Sequence, residues 1–189
     1  MNRFWLFVLI GVSALLSACA TTTATPPPVA ATPIHRAVPV ATNAAFDWPA
    51  ERNRIVKHLS GSSEIATRVR DDGTLQLLLP GAEAFSRGGT EPQPALTASL
   101  DRVASALAPS PEVEIRVFGH TDSLDSELHN LQLSIQRAET VAEHLRRRGI
   151  ALARLHADGK GEAEPIADNA TEAGRAKNRR VEIVLRPFE

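Results

Sequence analysis

Residues 113–137 read VEIRVFGHTDSLDSELHNLQLSIQR, and the hydrophobic period changes within that stretch. Val113, Ile115 and Val117 alternate with Glu114, Arg116 and Phe118, the two-residue repeat of a strand with one apolar face, and Gly119 ends it. From about His129 to Arg148 the repeat lengthens, so that Leu131, Ile135, Ala138, Ala142 and Leu145 fall on one helical stripe closed by Gly149. A strand that hands over to a helix gathers the polar residues between them, His120, Thr121 and Asp122, at the strand's carboxyl end. Open α/β sheets commonly bind ligands there.

The flanking segments extend this pattern. Pro49 stands where a helix can begin, Ile55, Val56 and Leu59 share a side, and Ser60-Gly61 marks the end of a short helix. Ile65, Thr67 and Val69 alternate with polar residues, Asp72-Gly73 signals a hairpin, and Leu75, Leu77 and Leu79 resume the alternation. After the loop from Pro80-Gly81 through Gly88-Gly89, a helix from about Glu91 or Ala95 to Ala108 carries Leu96, Leu100, Val103 and Leu107 at helical spacing. Pro109 and Pro111 stop it. A weak strand is expected near Arg154–Ala157 and a strong one at Val181–Leu185. Strands separated by helices predict an α/β (α+β) sandwich, helices packed on a mixed β-sheet and preceded by a β-hairpin.

The chain has 189 residues, room for one ordinary core with length to spare, and a net charge of −1, which provides no global field for nucleic acid. Its single cysteine, Cys19, excludes an internal disulfide and a multi-thiolate metal site. Arg3 is followed by an apolar run from Phe4 to Leu16, the length of a signal h-region and too short for a span of roughly 20 residues. Leu16-Ser17-Ala18-Cys19 resembles the bacterial lipobox, which implies cleavage after residue 18, lipid on Cys19 and, with Ala20 next, sorting to the outer membrane facing the periplasm. Two or more acyl chains make such attachment lasting. Residues 19–45, rich in Thr, Ala and Pro, read as a spacer that extended polyproline geometry would stretch to roughly 80 Å. The expected organisation is thus a signal segment at 1–18, the lipidated spacer at 19–45, a helical lead-in at 46–63 and a folded domain at 64–189.

Within the domain, seven residues of helix turn through about 700°, so Asn130, Ser134 and Arg137 lie within roughly 60° of one another, beside the apolar stripe. Asp122 at the strand end and Arg137 on the next helix would then face one pocket. The carboxylate suits an ammonium, and the planar guanidinium suits a carboxylate, so together they suit a zwitterion. The same two residues can instead pair with each other, or Arg137 can be a solvated helix arginine like Arg146, Arg147 and Arg148.

Gly119-His120-Thr121-Asp122, Asn130, Leu133-Ser134, Arg137-Ala138, Val141 and Gly149 form one ordered set with Gly159-Lys160-Gly161-Glu162, Pro165, Asn169, Gly174-Arg175 and Asn178-Arg179-Arg180-Val181-Glu182. Over about residues 64–186 this set resembles the OmpA-like (OmpA/MotB) C-terminal domain, in particular its lipid-anchored members such as the peptidoglycan-associated lipoprotein. The resemblance implies an OmpA-like fold and non-covalent binding of peptidoglycan through the diaminopimelate of its stem peptide. It assigns Asp122 to the ligand's ammonium and Arg137 to its carboxylate, and puts Thr121, Asn130 and Arg179 at motif positions lining the same pocket. Two positions depart from the family pattern. Asp125 stands where glycine is frequent, and Ser86 stands where the loop motif often has aspartate.

Other chemistries are poorly provided for. No histidine accompanies His120 at helical spacing for a metal site, Gly159-Lys160-Gly161 lacks the longer P-loop frame, and no Gly-x-Ser-x-Gly elbow is present. The basic run Arg175–Arg180 in an exported chain of near-zero charge is better explained by carboxylate contacts than by nucleic acid. The expectation is a binder with no catalysis, cofactor or metal, whose partners are peptidoglycan, the outer membrane through its lipid anchor, and envelope proteins. A protein interaction module and a cell-wall hydrolase are the alternatives.

Overall fold

The computed structural model describes residues 46–81, 84–86 and 88–188; the signal segment, Cys19 and the spacer lie outside the described residues. Four helices and a five-stranded mixed sheet run in the order α1 (Trp48–Leu59), β1 (Ala66–Val69), β2 (Leu75–Pro80), α2 (Pro94–Leu107), β3 (Val113–His120), α3 (Glu127–Arg147), β4 (Leu155–Gly159), α4 (Glu172–Asn178) and β5 (Arg180–Pro187). The spatial order of strands is β1-β2-β5-β3-β4, with β3 and β4 parallel and the other neighbours antiparallel. The parallel pair needs a crossover, and α3 is that crossover.

Alternation along the central strands sorts the sheet into two faces. Leu75, Leu77 and Leu79, Val113, Ile115 and Val117, and Val181, Ile183 and Leu185 form the floor on which Leu96, Leu100, Val103 and Leu107 of α2 and Ala138, Val141 and Leu145 of α3 pack. Helix α1 adds Ile55 and Leu59 to the same core. The opposite face is polar. There Glu182 accepts from Arg180 at 2.8 Å, Gln76 at 2.6 Å and Arg70 at 3.1 Å, and Glu114 pairs with Arg116, Arg186 and His156.

Local signals place the helix ends. Asp47 caps α1 through the Ala50 N–H, Ser126 caps α3 through His129, Thr171 caps α4 through Gly174, and Gly149 leaves α3 with φ of 94°. The Asp72-Gly73 turn is formed, with Gly73 at φ of 80°. Two sequence expectations need correction. Strand β1 begins at Ala66 and is exposed throughout, Val69 to 47%, because it is the sheet's outer edge; Ile65, just before it, is the buried residue. The apolar stripe on α3 also fails at its start: Leu131 is 40% exposed, while Asn130, Ser134 and Arg137 are buried. Over its first turns the helix faces the loops beyond the strand ends, and polar groups are what point inward there.

Glycines set how closely α3 approaches the sheet. A Cβ on Gly119 would collide with the Ser134 carbonyl, and one on Gly159 with the Ser134 hydroxyl and the Ile135 backbone. That hydroxyl accepts the Gly161 N–H at 2.9 Å and donates to the Leu131 carbonyl at 2.7 Å, tying helix to loop. Gly119→Ala is expected to lower unfolding free energy by about 2–3 kcal/mol, measured by urea titration, whereas the exposed Leu128→Ala changes it by no more than about 0.5 kcal/mol.

Candidate functional site

The site is built where β3 ends. The carbonyl of Gly119 accepts from Lys160, and the Thr121 N–H donates to Gly161, both at 2.9 Å, so the loops after β3 and β4 are fastened side by side. Strand β5 runs antiparallel to β3 with Arg180 opposite His120, which brings the preceding residue, Arg179, beside Asp122. Asn178 holds that corner. Fully buried, it accepts the Ile166 and Ala167 N–H groups and donates to Ala167 and Asn169, satisfying its whole amide.

A pocket of about 960 Å³ opens over this junction, and Thr121, Asp122, Asn130, Arg137 and Arg179 all line it. Asp122 is 7% exposed; its Oδ2 accepts from Arg179 Nη1 at 2.6 Å and its Oδ1 from the Leu124 N–H at 3.2 Å. The partner of Asp122 is therefore Arg179, 57 residues away, and not Arg137. Arg137 is 8% exposed, donates from Nε to the Gly89 carbonyl at 3.0 Å, and lies 5.1 Å over the Phe85 ring. Among the described residues no carboxylate is within ion-pairing distance of it. Burial, and then the nearby Arg179, lower its pKa, Asp122 opposing, yet a guanidinium stays charged at any ordinary pH. Arg179 is the reverse case: burial works against its charge, but the bonds to Asp122 and Glu172 outweigh that and raise its pKa.

Asn130, 1% exposed, donates to Glu162 at 2.6 Å and to the Asp125 carbonyl at 3.2 Å, so it braces the loop that carries Asp122. The Thr121 hydroxyl is buried and has no partner among the described residues. Both departures from the family pattern, Ser86 and Asp125, are on the pocket wall. Sequence reasoning missed Phe85, the Gly89 carbonyl and Glu172. Phe85 opens the loop motif that contains Ser86, a signal to which no role was attached; a backbone oxygen carries no sequence signal, and Glu172 reaches the pocket from α4.

The molecule is thus a small α/β sandwich domain with a charged pocket at its strand ends. Residues 84–179, half of the sequence, match the OmpA family, and the chain belongs to that family. The peptidoglycan-binding protein ArfA of Mycobacterium tuberculosis is 46% identical over 105 residues, 56% of this chain and 32% of its own length. The probable lipoprotein YiaD of Escherichia coli is 37% identical over 130 residues, 69% of this chain and 58% of its own. This chain thus spans about a third of ArfA and somewhat over half of YiaD. Among solved structures, the cell wall anchor of the T6SS from Pseudomonas aeruginosa superposes with a TM-score of 0.63 at 29% identity, covering 72% of this chain and 99% of that one.

His120, next to the pocket but on the sheet's polar face, is 2% exposed; neither ring nitrogen has a hydrogen-bond partner among the described residues, and Glu182 lies 3.7 Å from Nε2. Burial, then repulsion by Arg180, lowers its pKa from 6.5 to about 4, Glu182 opposing and Lys160 and Arg70 adding to the fall. The folded state keeps the imidazole neutral, so between these two pH values the unfolded chain binds the extra proton. Stability is therefore expected to fall as pH drops from about 6.5 to about 4, read as the urea midpoint at stepped pH, and His120→Gln is expected to flatten that slope.

Proposed function

We propose that this domain binds peptidoglycan non-covalently through the diaminopimelate of the stem peptide, and that lipid on Cys19 joins the bound wall to the outer membrane. The observation that carries the reading is the buried Arg137 guanidinium, without a carboxylate partner among the described residues, facing the same pocket as Asp122. An ion in such surroundings is stabilised by gaining a counter-ion, and a ligand carboxylate fits the place. The ligand's ammonium belongs at Asp122, with Thr121 and Arg179 beside it and Asn130 holding the loop. Membership of the OmpA family supports the reading, as do the peptidoglycan-binding relative ArfA and the lipoprotein relative YiaD. Anchoring follows the lipobox-like Leu16-Ser17-Ala18-Cys19, with the spacer setting the reach from membrane to wall.

The test is retention on purified sacculi. Asp122→Asn and Arg137→Gln are each expected to weaken retention roughly ten- to a hundredfold, the worth of one charge-assisted hydrogen bond, while the thermal midpoint moves by only a few degrees. Retention by both variants at the wild-type level refutes this pocket. Soluble muropeptides released by the wild type point to a hydrolase instead. For the anchor, labelled palmitate is expected to enter the wild type and not Cys19→Ala; equal labelling of the two removes the lipid assignment.

A further inference from the structure

Asp122 and Arg137 face the pocket in different electrostatic states. Asp122 already holds a cation, the Arg179 guanidinium at 2.6 Å, whereas Arg137 holds only a backbone carbonyl and an aromatic ring. An ammonium arriving at Asp122 therefore meets an occupied partner. If it displaces Arg179, that guanidinium keeps only its 2.9 Å contact to Glu172, whose side chain is 66% exposed. A partner so open to water is worth little. Exchanging one cation for another at Asp122 thus leaves a partly buried guanidinium poorly compensated, and a simple amine gains nothing by it.

A ligand with a carboxylate on the carbon that bears its ammonium changes the outcome. The ammonium takes over Asp122, and the adjacent carboxylate gives Arg179 a new partner within the pocket while also reaching Arg137. Thr121 supports this placement. Its hydroxyl, in a residue only 5% exposed, is buried behind the pocket wall without a partner among the described residues, and once Arg179 moves off Asp122 it can donate to the same carboxylate.

The geometry points to Arg179 as the specificity-determining residue of this pocket: by occupying Asp122 it excludes simple amines and admits α-amino acid groups, exchanging its bond to Asp122 for one to the ligand carboxylate. The inference rests on the peptidoglycan reading above and deepens it. Diaminopimelate carries two such groups, and cadaverine is the diamine left when both carboxylates are removed.

Calorimetric titration of the full chain with these two compounds provides the test. Wild type is expected to prefer diaminopimelate strongly, and Arg179→Gln to shrink that preference roughly tenfold or more, chiefly by binding cadaverine more tightly. Arg137 is present in both proteins and, relieved of repulsion by Arg179, can only hold the ligand carboxylate more tightly in the variant, so a shrunken preference reports on Arg179. Glu172→Gln is expected to move the ratio the other way, because a displaced Arg179 then has no anion to fall back on. That second variant decides the matter if Arg179→Gln does not fold. An unchanged ratio in a folded Arg179→Gln, or a narrowed one in Glu172→Gln, overturns the inference while leaving the binding reading intact. Failure of wild type to bind diaminopimelate, with sacculus retention undisturbed in the Asp122 and Arg137 variants, overturns both.

Discussion

The close seating of α3 on the ends of β3 and β4 is the constraint from which the rest of the molecule follows. Backbone meets backbone at Gly119 and Gly159, and the Ser134 hydroxyl sits between the helix and the Gly161 amide. No side chain larger than hydrogen fits at either glycine without moving the helix. Because α3 is held so near, Asn130 reaches Glu162 and the Asp125 carbonyl, and Arg137 reaches across to Phe85 and Gly89. Neither glycine lines the pocket, yet they decide where the polar side of the helix lies.

The same seating places charges where water is scarce, and the fold handles them in two ways. On the polar face of the sheet the carboxylate Glu182 is fully served by Arg180, Gln76 and Arg70, a closed network with little left to offer a ligand. In the pocket Asp122 is paired with Arg179 alone among side chains, and Arg137 has no partner with a formal negative charge among the described residues. Buried ions that are only partly compensated are costly to the free protein. They are concentrated at one end of the sheet, around the pocket.

Most of the fold was legible because it rests on period. The two-residue repeat of β3 and β5 and the helical spacing on α2 correspond to what is buried. Strand β4 was faint for a physical reason: His156, Ala157 and Asp158 between its buried ends are exposed, so it has little apolar signature. The error on α3 has the opposite origin, since Leu131 fits the stripe by spacing but lies past the sheet, where there is no apolar floor to cover it. In the site, Asp122 and Arg137 could be brought together from a strand end and a helical angle. That Arg179 and not Arg137 pairs with Asp122 depends on the register of β5 against β3, which no local pattern encodes.

That register also joins the two halves of the sheet. Strand β5 is the last described element in the chain, yet it occupies the middle of the sheet, between β2 and β3. Without it the hairpin and the β3-α3-β4 unit share no strand, and nothing sets Arg179 beside Asp122. One strand thus completes the hydrophobic core and the wall of the pocket together, so a change that loosens its pairing with β3 disturbs the Asp122–Arg179 contact along with the core.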